Sequence, residues 1–567
     1  MAGVFDVPQT SWTTDDVLHF ARRAGFHLKP EAAQALVAGG PAAAVSAWIS
    51  ASADETAYLQ ARSTKGDVYY DADVDGSNQG PHGFTIRPIG SISEAQGHTC
   101  FSLMFNPNQA KERIALFWHQ FFATGAAKVD NPTLMANQFQ LFRDMGRGAF
   151  PDLLKAVSHD PAMLRWLDGI ANSVDGSGKA PNENYAREVM ELYSLGPYNG
   201  YGEPDIKAMA QLFAGWTFYA SGSELFEDSG QTYATTGHAV VAMGQANPVN
   251  APLLLDGLGD TLAANEKLPE RRVFPANAAV TLFGSQVPVM GADFGDNALA
   301  LITTTRSTEC AQFLARRLLR HFLAPESDLS ATVFNDFAAT LKASHFDIGA
   351  CLTKLFTSQE FYRPQYRYCL VEGPVAWMIR QARALCPDLA KALATPLNGT
   401  PGVPSFPVFA GAQNSDEDEQ IAWYTGFAGQ KLLNPKGPNG WAEHLGWINS
   451  NAAQYRSRLA AALAYGPTDF TGDGRDHPGS PTVGFFPTGD ISLWFPSKPA
   501  GPTDVWNRLM DLLQPAPIPA AARDQLLTGD NGLWGPGQTF AAWNATDQRK
   551  ARDLAFLILS SPQAQVH

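Results

Sequence analysis

Apolar residues recur at helical spacing along most of this chain, and the pattern predicts a mainly α-helical protein. The clearest stretch begins after Asn106-Pro107, a pair typical of helix starts. Its apolar positions follow the i, i+3, i+4, i+7 spacing of one helix face and are Ile114, Phe117, Trp118 and Phe121. We therefore expect one large multi-helix body that is interrupted by long, irregular, loop-rich insertions.

Changes in this periodicity divide the chain into six segments. Three of them have strong helical signals, and two lose the periodicity. The segments are N-terminal helices at 1–50, a polar insertion at 51–105, a central helical core at 106–218, an irregular insertion at 219–305, a second helical half at 306–465, and loops with C-terminal helices at 466–567. We expect the central helices to pack against the helices of 306–387.

Composition then narrows the class of protein. The 567 residues carry a net charge of −14, with 45% hydrophobic and 17% charged residues. These values exclude a small disulfide scaffold, a disordered tail and a collagen-like fibre. No excess of Lys and Arg is available to neutralise phosphates, so a nucleic-acid partner is not expected. No run of about 18 apolar residues is present, so no membrane span is expected.

The five cysteines and the N-terminal residues give information about the cellular compartment of the protein. No two cysteines have CxxC spacing, which argues against a zinc knuckle or a redox dithiol. Cys310 and Cys351 could form one disulfide in an oxidising compartment. Residues 1–10 lack the basic region and apolar core of a signal peptide. The sequence therefore predicts either a cytoplasmic protein or an exported one whose signal was removed before this numbering.

One acidic helix is the best candidate for chemistry. Asn184, Glu188 and Glu191 fall near one face of it. Arg187 stands four residues from Glu183 and from Glu191, so it could hold both carboxylates while Glu188 stays free. Two carboxylates one turn apart shift each other's proton affinity, which suits acid–base chemistry or a divalent ion. The alternative is a buried polar network that pins this helix to its neighbours.

His119 lies on the helix that carries the aromatic stripe, just beside that stripe. An imidazole there can act as a general acid or base near neutral pH, or as a metal ligand. Alternatively, it is a core-edge histidine bonded to a backbone carbonyl or a carboxylate. We expect His119 and the carboxylates of residues 183–191 to lie close together beside an open cleft.

Other residues could hold a substrate near that cleft. Arg316 shares a helix with Arg317, Arg320 and His321, a group that could bind an anion or pair with the acidic helix. Three tryptophans next to glycines could stack on a sugar, although single tryptophans more often anchor packing. The candidate substrate-binding residues are Trp216, Arg316, Trp441 and Trp447.

The chain also carries a set of short motifs. The most specific is Ala180-Pro181-Asn182-Glu183-Asn184-Tyr185-Ala186-Arg187-Glu188. Further pieces are Arg23-Ala24-Gly25-Phe26, residues 112–119, Asp160-Pro161, Gly215-Trp216-Thr217, Phe346-Asp347-Ile348, Gly440-Trp441 and Trp447-Ile448-Asn449. Together they resemble the bacterial DUF1800 family, and the chain is identified as a divergent member of it. The family has no settled activity, so the resemblance implies none.

Two departures from the family pattern stand out. The family has a second histidine two residues after the position of His119, where this chain has Phe121. It also has a His-Asp pair before a turn that matches Thr281-Leu282-Phe283-Gly284 here, and Pro275-Ala276 stands in place of that pair. If those histidines form a metal or proton-transfer site in relatives, this chain keeps His119 alone.

Three functions remain open from the sequence. The first is an acid–base hydrolase or lyase that acts on a glycan-like polymer, and its catalytic residues would be His119, Glu188, Glu191, Asn184 and Arg187. The second is a non-catalytic extracytoplasmic scaffold, periplasmic or secreted, for which the resemblance suggests a DUF1501-family protein as partner. The third is a divalent-metal-binding protein that uses His119 with Glu188 or Glu191. No nucleotide cofactor is expected, because P-loop and GxGxxG motifs are absent.

Overall fold

The computed structural model shows a mainly α-helical protein, as the periodicity predicts. It describes residues 3–56, 58, 92–172, 174, 180–214, 216–218, 225–228, 231–234, 240–242, 278–289, 294–385, 425–465 and 491–567. The helices are α1 (Thr14–Ala24), α2 (Pro30–Gly39), α3 (Pro41–Ser50), α4 (Ile92–Phe105), α5 (Gln109–Phe121), α6 (Ala126–Val129), α7 (Pro132–Met145), α8 (Phe150–Ser158), α9 (Pro161–Trp166), α10 (Asn184–Glu191), α11 (Glu203–Leu212), α12 (Phe294–Thr304), α13 (Ser307–Phe322), α14 (Ala331–Ala343), α15 (Ile348–Thr357), α16 (Pro374–Leu385), α17 (Ser450–Tyr465), α18 (Pro502–Leu513), α19 (Ala520–Thr528) and α20 (Ala545–Ser560).

Several helices begin where the sequence supplies a capping side chain. The Asp160 carboxylate accepts the Met163 N–H at 3.0 Å, and α9 starts at the following Pro161. Thr13 and Asp16 form a reciprocal capping box at α1. These contacts satisfy backbone N–H groups that have no partner inside their helix. The Asp160-Pro161 motif therefore marks the start of α9.

Helix α5 lies in the centre of the core, with every residue from Ala110 to Phe121 buried. It packs against α1, α3, α4 and α7. The ring of Phe121 lies 5.9 Å from that of Phe313, measured between centroids. Phe117 lies 5.7 Å from Phe322 in the same way. Both partners belong to α13, so the predicted packing of the central helices against those of 306–387 is confirmed.

Two helices fall in segments where the sequence pattern predicted polar or irregular structure. Helix α4 occupies the end of 51–105, and α12 occupies the end of 219–305. All side chains from Ala95 to Met104 are buried. A helix that is buried on every side needs no polar face, so α4 has no amphipathic period to read. Helix α12 packs against α8, α11 and α13.

Short antiparallel strands lie within residues 216–288, from the end of the central segment into the irregular insertion. They pair as β1 (Trp216–Phe218) with β4 (Val240–Ala242), β2 (Leu225–Asp228) with β3 (Gln231–Ala234), and β5 (Ala279–Leu282) with β6 (Ser285–Pro288). Phe283 and Gly284 join β5 to β6 with φ angles of 51° and 79°, as a two-residue hairpin turn requires. Asp205 of α11 accepts the Phe283 N–H at 2.8 Å and holds this turn. Pro275-Ala276 lies outside the described residues.

None of the described helices is both long and apolar enough to cross a membrane by itself. Helices α2 and α3 reach the required length and hydropathy only together, and a bend of 118° separates them. The bend falls at Gly40, which has a φ of 75° and is followed by Pro41.

The described cysteines are free thiols. They are Cys100, Cys310, Cys351 and Cys369. A disulfide between Cys310 and Cys351 is therefore not formed, and the Cys351 sulfur lies 3.2 Å from the Ser344 hydroxyl instead. Cys386 lies outside the described residues.

Candidate functional site

His119 is buried in the core, with 1% of its surface exposed. Its Nε2 accepts the backbone N–H of Leu433 at 3.0 Å, and its ring lies 5.0 Å from that of Trp441. Burial lowers the pKa of His119 to about 3, so the imidazole is neutral at physiological pH. In this position His119 fastens the segment 425–449 to α5 and is closed to a substrate. We therefore assign it no catalytic role.

Two carboxylates of the acidic segment 183–191 are held by one arginine. Arg187 nitrogens lie 3.1 Å from a Glu183 oxygen and 3.5 Å from a Glu191 oxygen. A third carboxylate, Glu203 at the start of α11, lies 2.8 Å from Arg187. The hydrogen bond from Arg187 to Glu203 is the main reason that the pKa of Arg187 is raised. The arrangement ties α10 to α11 and leaves Arg187 occupied.

Glu188 forms no ion pair in that network. Burial is the main cause of its raised pKa; Glu191 adds to it, and Arg187 opposes it. The Asn184 side-chain amide donates to the Leu167 carbonyl at 3.2 Å and holds the start of α10. Across the described residues, no hydrogen bond, ion pair or ring contact connects these carboxylates with His119. Among the described residues, the imidazole and the acids are therefore not in direct contact.

The predicted metal site is likewise not assembled. Within the described chain, no group of three His, Cys, Asp or Glu side chains could hold a metal ion. His119 has Leu433 as its hydrogen-bond partner and aromatic rings as its other neighbours. It therefore does not join Glu188 or Glu191 as a ligand pair.

The four candidate substrate-binding residues lie in different environments. Trp216 is 1% exposed and packs against two aromatic rings of the core. Arg316 lies on the exposed side of α13, where its Nε is 2.8 Å from Glu326. Trp441 packs against the buried imidazole of α5. Trp447 lines a cleft, and this cleft is the candidate functional site.

We call this cleft, formed by α5, α13, the start of α16 and the segment 425–449, the basic cleft. Its cavity volume is about 50 Å³, and it is partly open to solvent. Helix α5 contributes Arg113, Leu116 and Gln120, which the helical period places on one face. The other polar groups that line it are Arg320, His321, Gln430, Glu443, His444 and His567.

Arg113 forms the buried end of the basic cleft and is 2% exposed. Its Nη2 donates to His567 Nε2 at 3.2 Å, and its Nη1 lies 3.6 Å from a Glu372 oxygen. Because His567 Nε2 accepts, Nδ1 carries the proton of this ring, and that N–H has no partner among the described residues. Arg113 Nε and Nη1 make no hydrogen bond there either. These buried donors have unused capacity that an anionic group would satisfy.

A single carboxylate faces several guanidinium groups behind the cleft. Glu372 is fully buried and accepts from Arg380 Nε at 2.7 Å. Arg456 donates to the backbone carbonyl of Glu372. Burial lowers the pKa of Arg113 to about 10; Glu372 opposes this change, and Arg23 and Arg380 add to it. In this described part of the core, positive charge exceeds negative charge.

Glu443 and Arg320 form the outer rim of the basic cleft. Arg320 Nη2 lies 2.5 Å from a Glu443 oxygen, and the Gln120 amide donates to the other oxygen at 3.0 Å. The adjacent His444 has a φ of 47°, a left-handed conformation that costs such a residue roughly 1–2 kcal/mol. Glu443 is thus tied to α5 and to α13, while its neighbour is held in an unfavourable backbone conformation.

Two further imidazoles beside this rim are neutral at physiological pH. Burial is the main cause of the lowered pKa of both His321 and His444. Arg113 lowers the pKa of His321 further. At His444, Glu443 opposes the effect of burial and Arg320 adds to it. The cleft therefore combines fixed cations with neutral rings that can donate or accept a hydrogen bond.

Gly440 stands where the segment 425–449 crosses α5. Its φ is 80°, and a Cβ there would lie 2.6 Å from the Gln120 carbonyl oxygen. We expect Gly440→Ala to lower the free energy of unfolding by about 2 kcal/mol, because both the backbone conformation and the close approach favour glycine. Chemical denaturation measures this change. Gly437→Ala is the control, since no heavy atom lies within 4 Å of that Cβ; equal losses in the two variants would contradict the argument.

Sequence reasoning missed most of this cleft. Arg113 belongs to the same 112–119 motif as His119, at its other end. Glu443-His444 stands between Trp441 and Trp447, two tryptophans that the sequence suggests for stacking. Arg320 and His321, which the sequence suggests as an anion site or a structural pair, both line the cleft. The available signal was a cluster of charged and imidazole side chains within the motifs themselves.

The fold and the basic cleft define a mainly helical protein with a small polar recess lined by arginines and histidines. Its sequence matches the family described as "Protein of unknown function (DUF1800)" over residues 19–566. The chain therefore belongs to the DUF1800 family, as its motifs suggested. No curated protein and no solved structure matches it.

Proposed function

We propose that this chain is a binding protein or scaffold whose basic cleft takes up a carboxylate from an acidic, apolar segment of a protein partner. The observation that carries the proposal is the buried Arg113, whose guanidinium has unused donors beside a cavity. A carboxylate can accept from a guanidinium in a bidentate, charge-assisted manner. It would also offset the excess of positive charge behind the cleft.

The size of the cleft supports a single anionic group as its occupant. A cavity of about 50 Å³ has room for only a few water molecules. One carboxylate fits such a space, whereas a whole sugar ring does not. The rest of the ligand would therefore lie across the rim.

The segment that carries Trp447 favours a protein ligand. Leu445 and Ile448 are 73% and 67% exposed and are close neighbours of Trp447 in the chain. Phe427 in the same segment is 42% exposed. Exposed apolar side chains on a segment that lines a recess are typical of interaction sites. A DUF1501-family protein that presents an acidic, apolar segment is one candidate partner, in an extracytoplasmic assembly.

A second candidate is an acid–base lyase that acts on a carboxylated glycan. It is supported by the neutral His321 and His444 beside Arg113 and Arg320. An arginine that neutralises a carboxylate makes the adjacent C–H more acidic, and a neutral imidazole can remove that proton. A hydrolase has less support, because glycoside hydrolysis uses two carboxylates and Glu443 is the acidic side chain that lines this cleft.

Peptide binding to two arginine variants of α13 tests the first candidate. The probe is a fluorescently labelled peptide of alternating Leu and Glu, compared by anisotropy with its Leu and Gln counterpart. Arg320→Met should weaken binding of the Glu peptide about tenfold or more, because a charge-assisted hydrogen bond contributes about 1.5–3 kcal/mol. Arg316→Met is the matched control, since Arg316 also contacts Glu326 but does not line the cleft.

The outcome separates the two candidates. Equal affinity for the Glu and Gln peptides, or equal losses in the two variants, would contradict the binding proposal. Polygalacturonate is added in a parallel assay. An increase in ultraviolet absorbance from an unsaturated product, without peptide binding, would favour the lyase instead.

A further inference from the structure

A second and larger cavity lies between α1 and α18, away from the basic cleft. Its volume is about 380 Å³, which is within the range of small-molecule sites. Helix α1 contributes Asp15, Leu18 and Arg22, which the helical period places on one face. We call it the α1–α18 cavity. What we infer about its ligand does not depend on the function proposed for the basic cleft.

The α1–α18 cavity has a cationic side without a carboxylate partner. Arg22 is 2% exposed and forms no ion pair with a described carboxylate. Its guanidinium lies 4.9 Å from the centre of the Tyr368 ring, and its Nε has no hydrogen-bond partner among the described residues. A buried guanidinium without a counter-ion is costly, and a bound anionic group would remove that cost.

The same cavity also contains hydrogen-bond acceptors and carboxylates that suit a cationic group. Gln514 is 4% exposed, and its amide nitrogen donates to the Leu28 carbonyl at 2.7 Å. Its Oε1 is buried and has no donor among the described residues. The carboxylates of Asp15 and Asp511 also line the cavity. Burial is the main cause of the raised pKa of Asp511, which a bound cation would reverse.

Most of the remaining wall is apolar, and its larger apolar side chains are Leu18, Trp506, Met510, Pro515, Pro517 and Ile518. Tyr368 and Arg523 also line the cavity, and Arg523 is paired with Asp524 at 2.7 Å. We propose that the α1–α18 cavity binds a small zwitterion with an apolar side chain, such as a free apolar α-amino acid. Arg22 receives the carboxylate, Gln514 and the aspartates receive the ammonium group, and the apolar wall packs against the side chain.

Calorimetry with matched ligands tests both charges of the zwitterion. Leucine, phenylalanine and tryptophan are titrated into the full chain, together with isocaproate and isoamylamine, which keep the leucine skeleton but lack one charge each. Leucine should bind saturably, alone or together with one of the aromatic amino acids. Isocaproate and isoamylamine should each bind at least about tenfold more weakly than leucine, because a charge-assisted contact is lost. Failure of all three amino acids to saturate by about 10 mM, or equal binding of isocaproate and leucine, would overturn the proposal.

Two variants locate the site without depending on Arg22, whose loss could disturb folding. Asp511→Asn should weaken amino-acid binding about tenfold and leave isocaproate binding unchanged. Asp530→Asn is the matched control, because Asp530 is exposed and does not line the cavity. Ala520→Trp, which fills the cavity from an exposed position, should abolish binding while the melting temperature without ligand stays unchanged. Unaltered binding in the folded Ala520→Trp protein would place the ligand elsewhere and overturn the proposal.

Discussion

Acidification from pH 7 to pH 5 is expected to lower the free energy of unfolding of this protein by several kcal/mol. The core contains five histidines whose pKa is lowered mainly by burial, and they are His19, His27, His119, His321 and His567. The pKa of His27 and of His119 is about 3 in the folded state. In the unfolded chain, a histidine has a pKa of about 6.5.

The direction of the effect follows from proton uptake. Between pH 6.5 and pH 3, the unfolded chain binds protons at these histidines and the folded chain does not, so stability falls as the pH falls. At pH 5, His27 and His119 each contribute a loss of about 2 kcal/mol. Asp160 acts in the opposite direction, because burial raises its folded pKa to about 7 and its neutral form is then favoured as the pH falls. Asp160 therefore adds about 2 kcal/mol to the free energy of unfolding at pH 5, which offsets the loss from one histidine. The sum over all these groups is still a loss.

Urea denaturation at pH 7, 6 and 5 measures this loss. His119→Gln keeps an acceptor for the Leu433 N–H but removes the titrating ring, so its loss on acidification should be about 2 kcal/mol smaller than that of the unchanged protein. His345→Gln is the control, because His345 is exposed. A free energy of unfolding that stays constant from pH 7 to pH 5 would show that these rings are not buried as described.

Replacing Glu372 by Gln is expected to lower the free energy of unfolding by about 3–5 kcal/mol. Glu372 is fully buried, and its carboxylate faces Arg380 at 2.7 Å and Arg113 at 3.6 Å. The amide would leave both guanidinium groups without a counter-charge in a region that already contains Arg23 and Arg456. Removal of one partner of a buried ion pair is far more costly than its net contribution, because the remaining charge stays buried.

Two comparisons separate this charge effect from a general cost of substitution. Glu191→Gln removes one carboxylate from the partly exposed Arg187 network and should change the free energy of unfolding by less than about 1 kcal/mol. The double variant Glu372→Gln/Arg380→Met removes both charges and should regain part of the stability lost in the single variant. A loss for Glu372→Gln no larger than that for Glu191→Gln would rule out the charge argument.

Much of the helical architecture could be predicted because it depends on local signals. The stripe that contains Phe117 and Phe121 identified α5, and an acidic cap followed by proline, as at Asp160, is a local signal of the same kind. Helix α4 was not predicted from the periodicity because it is buried on all sides, so its sequence has no polar face. Periodicity reports how many sides of a helix meet water, and it is least informative for the helices deepest in the core.

The site was harder to predict because its contacts join distant parts of the chain. Whether His119 is accessible depends on Leu433, which stands 314 residues away in sequence. Arg113 and His567 meet across 454 residues. A helical period predicts which residues share a face, as it did for Glu188 and Glu191, but it does not predict what covers that face. The segment that packs over the face determines whether an imidazole is accessible as a base or buried in the core.

The segment 425–449 is attached to α5 at two adjacent residues, through the Leu433 N–H on His119 and through Glu443 on Gln120. The opening of the basic cleft is therefore set when the chain folds and does not await a ligand. The hydrogen-bond donors of the cleft are already oriented before a ligand binds, so the protein loses little further conformational entropy on binding. The selectivity of such a preorganised cleft depends on the shape and charge of the ligand. A ligand of the wrong shape does not enter past the rim.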